Sequence, residues 1–505
     1  MDIATRTAYA YLGLRRMALE RYATDAEHFQ RKRLASLVRR AAWTEWGNLH
    51  GYRDIHSYED FAQRVPVSEY DDLKGYIERM RLGESNVLWR GQIHQFAKSS
   101  GTTSDRSKFI PVSHEGLRRL HMMGGHDVTA IYLSAHPESR VGTGCSLILS
   151  GSLDPACATP TSVAGDVSAI MAEAIPDVIR DLMHIQPPLK LARIRDFEEK
   201  REKLARWCLA KDITSFSGVP SWMLSVLTRV LELSGKSNLS EVWPNLEFFA
   251  HGGVGFTPYR ELYKQLIPSP KMNYIETYNA SEGFFGVQND PSDPAMLLMV
   301  DYDIFYEFIP TDPANGTEPV PVWQIQPGVN YAVCISTSCG LWRYLIGDTI
   351  RFTQRDPYKF VITGRTRQFI NAFGEEVIVD NAEQALAAAC KATGAEVLEY
   401  TAAPVYMDTH GQCRHQWLVE FVRMPESLEV FADELDKSLR SINSDYDAKR
   451  YKDITLQHLE VIPARTGLFD AWLQSKGKLG GQHKVPRLSN TRTYMDELLA
   501  LNLRP

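Results

Sequence analysis

The stretch "FAKSSGTTSDRSKFIPVS", residues 96–113, decides how this chain is read. A short apolar run leads into Ser99, Ser100, Thr102, Thr103 and Ser104, with Gly101 among them and Arg106 and Lys108 just beyond. Gly101 permits close backbone approach, and successive N–H groups around it would line an anion-binding concavity. Lys108 or Arg106 would supply a point charge to a polyphosphate. A Walker loop, G-x-x-x-x-G-K-[ST], is excluded: the second glycine would fall on Arg106, and Phe109 follows Lys108. Two readings stay open for the segment alone, a phosphate cradle of another kind and an exposed loop of turn formers.

Two distant segments bear on that choice. In "YNASEGFFG", 278–286, Tyr278 offers a ring for stacking, and Glu282 offers a carboxylate for Mg²⁺. In "WRYLIGDTIRF", 342–352, Gly347-Asp348 is read as a turn between two extended runs, its carboxylate placed to accept both hydroxyls of a ribose. Taken singly, these are a core tyrosine beside a helix cap and a hairpin turn. Taken together with the hydroxyl-rich loop, they describe an ATP site.

The rest of the chain frames that site. At 505 residues, 44% hydrophobic and 23% charged, it is long enough for two or more domains with a substantial core. A formal charge of −6 argues against a nucleic-acid partner. Seven cysteines without a CxxC pair read as reduced thiols, and no apolar run reaches the roughly 20 residues of a membrane span. A soluble cytoplasmic protein is expected. The first ninety residues read as helical. In "HFQRKRLASLVRRAAWTEWGNLHGY", Phe29, Leu34, Leu37, Val38 and Ala41 recur at helical intervals, and the basic opposite face is read as solvated. Helical and extended segments then alternate, as in an α/β domain, with a buried strand at Leu246–Ala250 ending in glycines. "CISTSC" reads as buried packing, not as a thiol nucleophile. A boundary falls near "TGRTRQF", 363–369, dividing an N-terminal domain, 1–365, from a C-terminal domain, 366–505.

The three segments resemble the signature motifs of the acyl-acid amido synthetases of the Gretchen Hagen (auxin-responsive) family, SSGTT-S, Y-x-A-S-E-G/S-x-x-G and Y-R-x-x-G-D, within the adenylate-forming superfamily. "VPVSEYDDLKGYIERM", "SKFIPVS" and "GLFDAWLQSKGKLGGQHKVPRL", 467–488, are similar to the family's flanks, so the likeness runs from about 40 to 490. The length resembles the bacterial branch. The chain departs at Trp342 and His483, where tyrosine is usual, at Leu468 for threonine, and at Asp105 in the phosphate loop.

The resemblance implies a large α/β adenylating domain of mixed sheets with flanking helices, and a small mobile α/β C-terminal domain. It implies ATP and Mg²⁺, a carboxylic-acid substrate, an amino-acid acceptor and a monomer. Ser99, Ser100, Gly101, Thr102 and Thr103 would hold phosphates. Gly252, Gly253 and Tyr278 would flank adenine beside Ser281, Asp348 would hold ribose with Arg365 nearby, and Glu282 would bind Mg²⁺. Lys484 would act at the α-phosphate and, with Glu282, carry the catalysis. Val254, Gly255 and Phe256 would meet the acyl group. Thr161, Ser162 and Val163 would meet the acceptor, as would Gly467, Leu468 and Phe469. "GRTRQFINAFGEEV", 364–377, resembles the superfamily's hinge, with Arg365, Thr366 and Arg367 at the pivot. The alternatives are an acyl-CoA ligase, which shares the first half-reaction, and a non-catalytic scaffold that retains the fold.

Overall fold

The protein is described from a computed structural model covering residues 13, 15–99, 108–253, 256, 259–366, 369–406, 413–450, 456–476 and 485–503. It divides into two compact units, the first made of Met1–Ser99, Lys108–Gly253 and Tyr263–Thr366, the second of the remainder. No described helix is long and apolar enough to cross a membrane.

The first unit is built on a sheet of twelve strands. In chain order these are β3 (Cys145–Ile148), β5 (Ile185–Gln186), β6 (Ile213–Gly218), β7 (Phe248–Gly252), β8 (Asn273–Ala280), β9 (Gly283–Val287), β10 (Met296–Leu298), β11 (Ile304–Pro310), β12 (Val320–Pro321), β13 (Asn330–Thr337), β14 (Tyr344–Arg355) and β15 (Tyr358–Arg365). Their spatial order is β12-β11-β13-β14-β15-β10-β9-β8-β7-β6-β3-β5. From β5 to β8 neighbouring strands run parallel, and from β8 onward they run antiparallel. Parallel strands covered on both faces read as continuous apolar runs, and Phe248, Phe249 and Ala250 of β7 are all buried. A separate small sheet sets β1 (Gln95–Ser99) between antiparallel β2 (Lys108–Val112) and parallel β4 (Val163–Gly165).

Against the antiparallel half packs the helix Tyr22–Ala41, which buries Leu34, Leu37, Val38 and Ala41 at the spacing that marks one helix face. Its basic side is not simply solvated, as the sequence led us to expect. Arg33 and Arg40 both reach Asp303, which is fully buried, and Arg40 also pairs with Glu115. A buried carboxylate needs cations, and a one-dimensional charge pattern does not reveal a partner about 270 residues away.

Two other expectations are corrected. Gly347-Asp348 is not a turn between strands but an interior part of β14, whose partner Arg365 lies opposite Asp348 on β15. The glycine takes φ 89°, and a register shift follows at Thr349/Ile350, so the residues that signal a turn here bend a strand instead. The strand placed at Leu246–Ala250 runs from Phe248 to Gly252, two residues later.

The second unit contains the ribbon β16 (Phe369–Ile370) and β17 (Val377–Ile378), and the sheet β18 (Glu396–Val405), β19 (Arg414–Arg423) and β20 (Glu460–Ala464). The helix Leu428–Ile442 buries Phe431, Leu435 and Leu439, one residue per turn. A core of its own joins Ala403 and Leu418 to Leu468, Phe469, Trp472, Met495 and Leu498.

Candidate active site

In open α/β sheets ligands bind beyond the carboxyl ends of the parallel strands, and here the end of β7 carries Gly252 and Gly253 and the end of β8 carries the second motif. Gly252 lies opposite Thr277, immediately before Tyr278. A Cβ on Gly252 would stand 2.4 Å from the Thr277 carbonyl oxygen, and Gly253 takes φ 85°, so both positions require glycine. Strand β8 then turns into β9 through Ser281 and Glu282, with Ala280 paired to Gly283. The two-residue turn delivers Glu282 to the strand end while its side chain stays buried. Burial pushes the Glu282 carboxyl up to about 7, and the like charge of Asp348 adds to this while Lys108 and Arg365 oppose it.

Asp348 comes from the antiparallel half. Its Oδ1 accepts from Arg365 Nε at 2.7 Å, and its Oδ2 accepts from the Tyr278 hydroxyl. Four strand spacings separate β14 from β8 in the sheet order, roughly 19 Å in a flat sheet, so this contact requires strong curling. Curling therefore assembles the second and third motifs at one place. Tyr278 is buried against Phe285, with ring centroids 4.8 Å apart, and serves as a brace for Asp348. Asp348 keeps lone pairs beyond those two bonds for a further donor such as a ribose hydroxyl.

Lysines complete the surroundings. Lys108 acts electrostatically on Glu282, and Lys98 pairs with Asp154 at 3.0 Å immediately before Ser99. Lys98 escaped the sequence reading. The only signal for it was a lone lysine ahead of a hydroxyl run, which any strand end can show. The arginine of the third motif is structural: Arg343 makes a buried ion pair with Glu307 at 2.8 Å and donates to the carbonyls of Ala62 and Val65. Trp342 is buried beside Tyr52 and Trp89, its indole donating to Leu88 O. Cys334 and Cys339 are buried, their thiols pushed up by burial, and both are free thiols.

The remaining candidates fall in several places. Ser99 ends β1. Ser100, Gly101, Thr102, Thr103, Val254, Gly255, Arg367 and Lys484 lie outside the described residues. Phe256 is buried under the Arg260 guanidinium, 5.2 Å from the ring centroid. The hydroxyls of Thr161 and Ser162 both donate to Arg81 O, and Val163 is exposed. Gly467 caps the helix Leu468–Ser475, whose Leu468 and Phe469 belong to the core of the second unit. Thr366 donates through its N–H to Gly347 O at 2.8 Å.

A buried carboxylate whose pKa is raised is a group short of a cation, and Glu282 fits one. Among the described residues no group of three or more metal-ligating side chains gathers.

Comparison with known proteins places this arrangement. The chain aligns with a structure of the acyl acid amido synthetase AtGH3.15 in complex with 2,4-DB at a TM-score of 0.63 and 17% identity, covering 97% of this chain and 96% of that one. It aligns with 2-hydroxyisobutyryl-CoA ligase in complex with 2-HIB-AMP and CoA at a TM-score of 0.55 and 15% identity, covering 99% and 92%. This chain shares its fold with both enzymes. The GH3 family N-terminal domain matches residues 15–272, its central domain 297–365 and its C-terminal domain 380–493. The chain belongs to the GH3 family. Among its relatives are indole-3-acetic acid-amido synthetase GH3.3 of Arabidopsis thaliana, 23% identical over 95% of this chain and 92% of that protein. The 4-substituted benzoates-glutamate ligase GH3.12 of the same plant is 22% identical over 86% and 88%. Jasmonoyl--L-amino acid synthetase GH3.5 of Oryza sativa subsp. japonica is 24% identical over 93% and 94%.

Proposed function

We propose that this chain is an ATP-dependent acyl-acid amido synthetase. A carboxylate oxygen bonds to the α-phosphorus of ATP, the bond to the β-phosphate oxygen breaks, and pyrophosphate leaves an acyl-adenylate. The amine of an amino acid then attacks the acyl carbon, AMP departs, and the nitrogen loses a proton to give an amide. The observation that carries this reading is the convergence of Glu282 with the Tyr278–Asp348–Arg365 group, in a chain whose three family domains are those of GH3. An acyl-CoA ligase shares the fold and the first step, but the family match favours an amine acceptor. Retention of Glu282 and Asp348 in one cluster argues against a scaffold.

Ser99, Ser100, Gly101, Thr102 and Thr103 are assigned to the phosphates. Gly252 and Gly253, with Tyr278 and Ser281, are assigned to the adenine side, and Asp348, held by Arg365, to the ribose. Glu282 is the residue to hold Mg²⁺, which when bound neutralises phosphate charge as it develops. Lys484 supplies an ammonium to the α-phosphate and the transferring carboxylate. Val254, Gly255 and Phe256 are assigned to the acyl group. Arg365, Thr366 and Arg367 mark the join between the N-terminal domain, 1–365, and the C-terminal domain. We take the protein to be cytoplasmic, in keeping with its seven free cysteines, and a monomer. The test is incubation with ATP, Mg²⁺, a panel of carboxylic acids and hydroxylamine. AMP, pyrophosphate and a hydroxamate are expected, and substitution of amino acids or CoA for hydroxylamine separates amide from thioester formation.

A further inference from the structure

Just after the glycines of β7 the chain leaves the first compact unit. Val254–Leu262 belongs to the second unit, and from Tyr263 the chain belongs to the first again. Gly252, Tyr278, Glu282 and Asp348 are therefore residues of the first unit, whereas Phe256 is a residue of the second.

Tyr259 anchors this excursion. Its buried hydroxyl donates to the carbonyl of Ala372 at 2.9 Å, and its ring meets Tyr406 edge-on with centroids 6.3 Å apart. Ala372 lies in the turn that joins β16 to β17, and that turn is fixed from several sides. The fully buried carboxylate of Glu375 accepts from the N–H groups of Ala372 at 3.1 Å and Phe373 at 2.7 Å. Its Oε1 also lies 2.8 Å from His415 Nε2 on β19. Phe373 packs edge-on against the same Tyr406, centroids 5.8 Å apart. Glu376 takes φ 38°, a left-handed value that a non-glycine residue keeps only where its surroundings impose it, and Asn443 donates to its carbonyl at 3.2 Å. A hydroxyl bonded to such a turn has a fixed place.

Phe256 is carried by Tyr259. Its carbonyl accepts from the N–H groups of Tyr259 at 2.9 Å and Arg260 at 3.1 Å, closing one turn at the head of the helix Arg260–Leu266. The same helix offers a comparison four residues on. There the Tyr263 hydroxyl donates to the carbonyl of Pro220 at 2.7 Å, a bond of the same kind made inside the first unit.

We propose that Tyr259 is a positioning residue for the acid substrate: its bond to Ala372 holds Phe256 in the frame of the second unit. The surface that meets the acyl group is then set by the second unit, and the adenine and ribose contacts by the first. The inference rests on the amido-synthetase reading, which assigns Phe256 to the acyl group, and adds what places that residue. Loss of the bond frees the Phe256 turn without touching Gly252, Tyr278 or Asp348, so acid binding weakens and ATP binding does not.

The test uses the full-length enzyme with an acid substrate identified by ATP–pyrophosphate exchange. In Tyr259→Phe the KM for the acid should rise roughly 3- to 10-fold, the worth of one buried neutral hydrogen bond. The KM for ATP should be unchanged, and amide hydrogen exchange around Phe256 and Tyr259 should be faster. Tyr259→Leu, which also removes the ring contact with Tyr406, should enlarge the rise. Tyr263→Phe loses a bond of equal kind and should leave both KM values as they are, whereas a merely structural hydroxyl gives the two phenylalanine variants the same kinetics. An unchanged acid KM in Tyr259→Phe, an ATP KM that rises with it, or an equal rise in Tyr263→Phe would overturn the role of Tyr259 while exchange by the wild type stands. A wild-type enzyme showing no acid-dependent exchange would overturn the amido-synthetase reading and the role of Tyr259 with it.

Discussion

Asp348 accepts from two side chains that reach it from different strands, Arg365 and Tyr278, and this fixes its carboxylate before any nucleotide arrives. Preorganisation of that kind saves ordering entropy on binding. Asp348→Ala should therefore raise the KM for ATP about tenfold or more, the worth of charged hydrogen bonds, with circular dichroism and melting unchanged apart from a small shift. Glu282 has the opposite character. Its folded-state value of about 7 lies above the ordinary 4.5, so between those pH values the folded chain holds more protons than the unfolded one. Stability then falls as pH rises through that window and is lowest above it. Glu282→Gln should gain about 1–3 kcal/mol at pH 8 in a denaturant titration while losing Mg²⁺-dependent adenylation. Residue identity made Asp348 and Glu282 legible in the sequence as motif members. The brace from Tyr278 was not legible, because a tyrosine in a motif reads equally as a stacking platform.

Strands set the second level. The ends of β7 and β8 lie side by side only because Gly252 lets the Thr277 carbonyl come within the space a Cβ would fill. Gly252→Ala should push these strands apart at their tips and lower acid-dependent exchange at least tenfold, and a larger change in KM for ATP than in melting temperature would localise the effect. Periodicity made the helix Tyr22–Ala41 and the buried strand β7 legible, since both rest on local patterning. It failed at Gly347, where the residues that favour a turn bend a continuous strand whose course is set by β15 across the sheet. It failed also at Arg33 and Arg40, whose buried partner Asp303 comes from a loop far along the chain. Long-range pairing is the information a sequence pattern does not carry.

At the scale of the molecule, one curled sheet with a parallel and an antiparallel half accounts for how motifs about 70 residues apart, at 278 and 348, meet. The second unit has its own sheet and core, into which Leu468 and Phe469 are packed. Lys484, from the C-terminal stretch of the chain, is assigned to the transferring carboxylate. Lys484→Ala should reduce acid-dependent exchange by a hundredfold or more with melting unchanged, and a fully active variant would remove that assignment. Every such prediction presumes that the protein cleaves ATP between its α- and β-phosphates. The measurement that tests this most directly is nucleotide product analysis of the wild-type enzyme with ATP, Mg²⁺, a pool of carboxylic acids and hydroxylamine. AMP and pyrophosphate in equal amounts, matched by a hydroxamate, is the predicted result. ADP and inorganic phosphate would contradict the account.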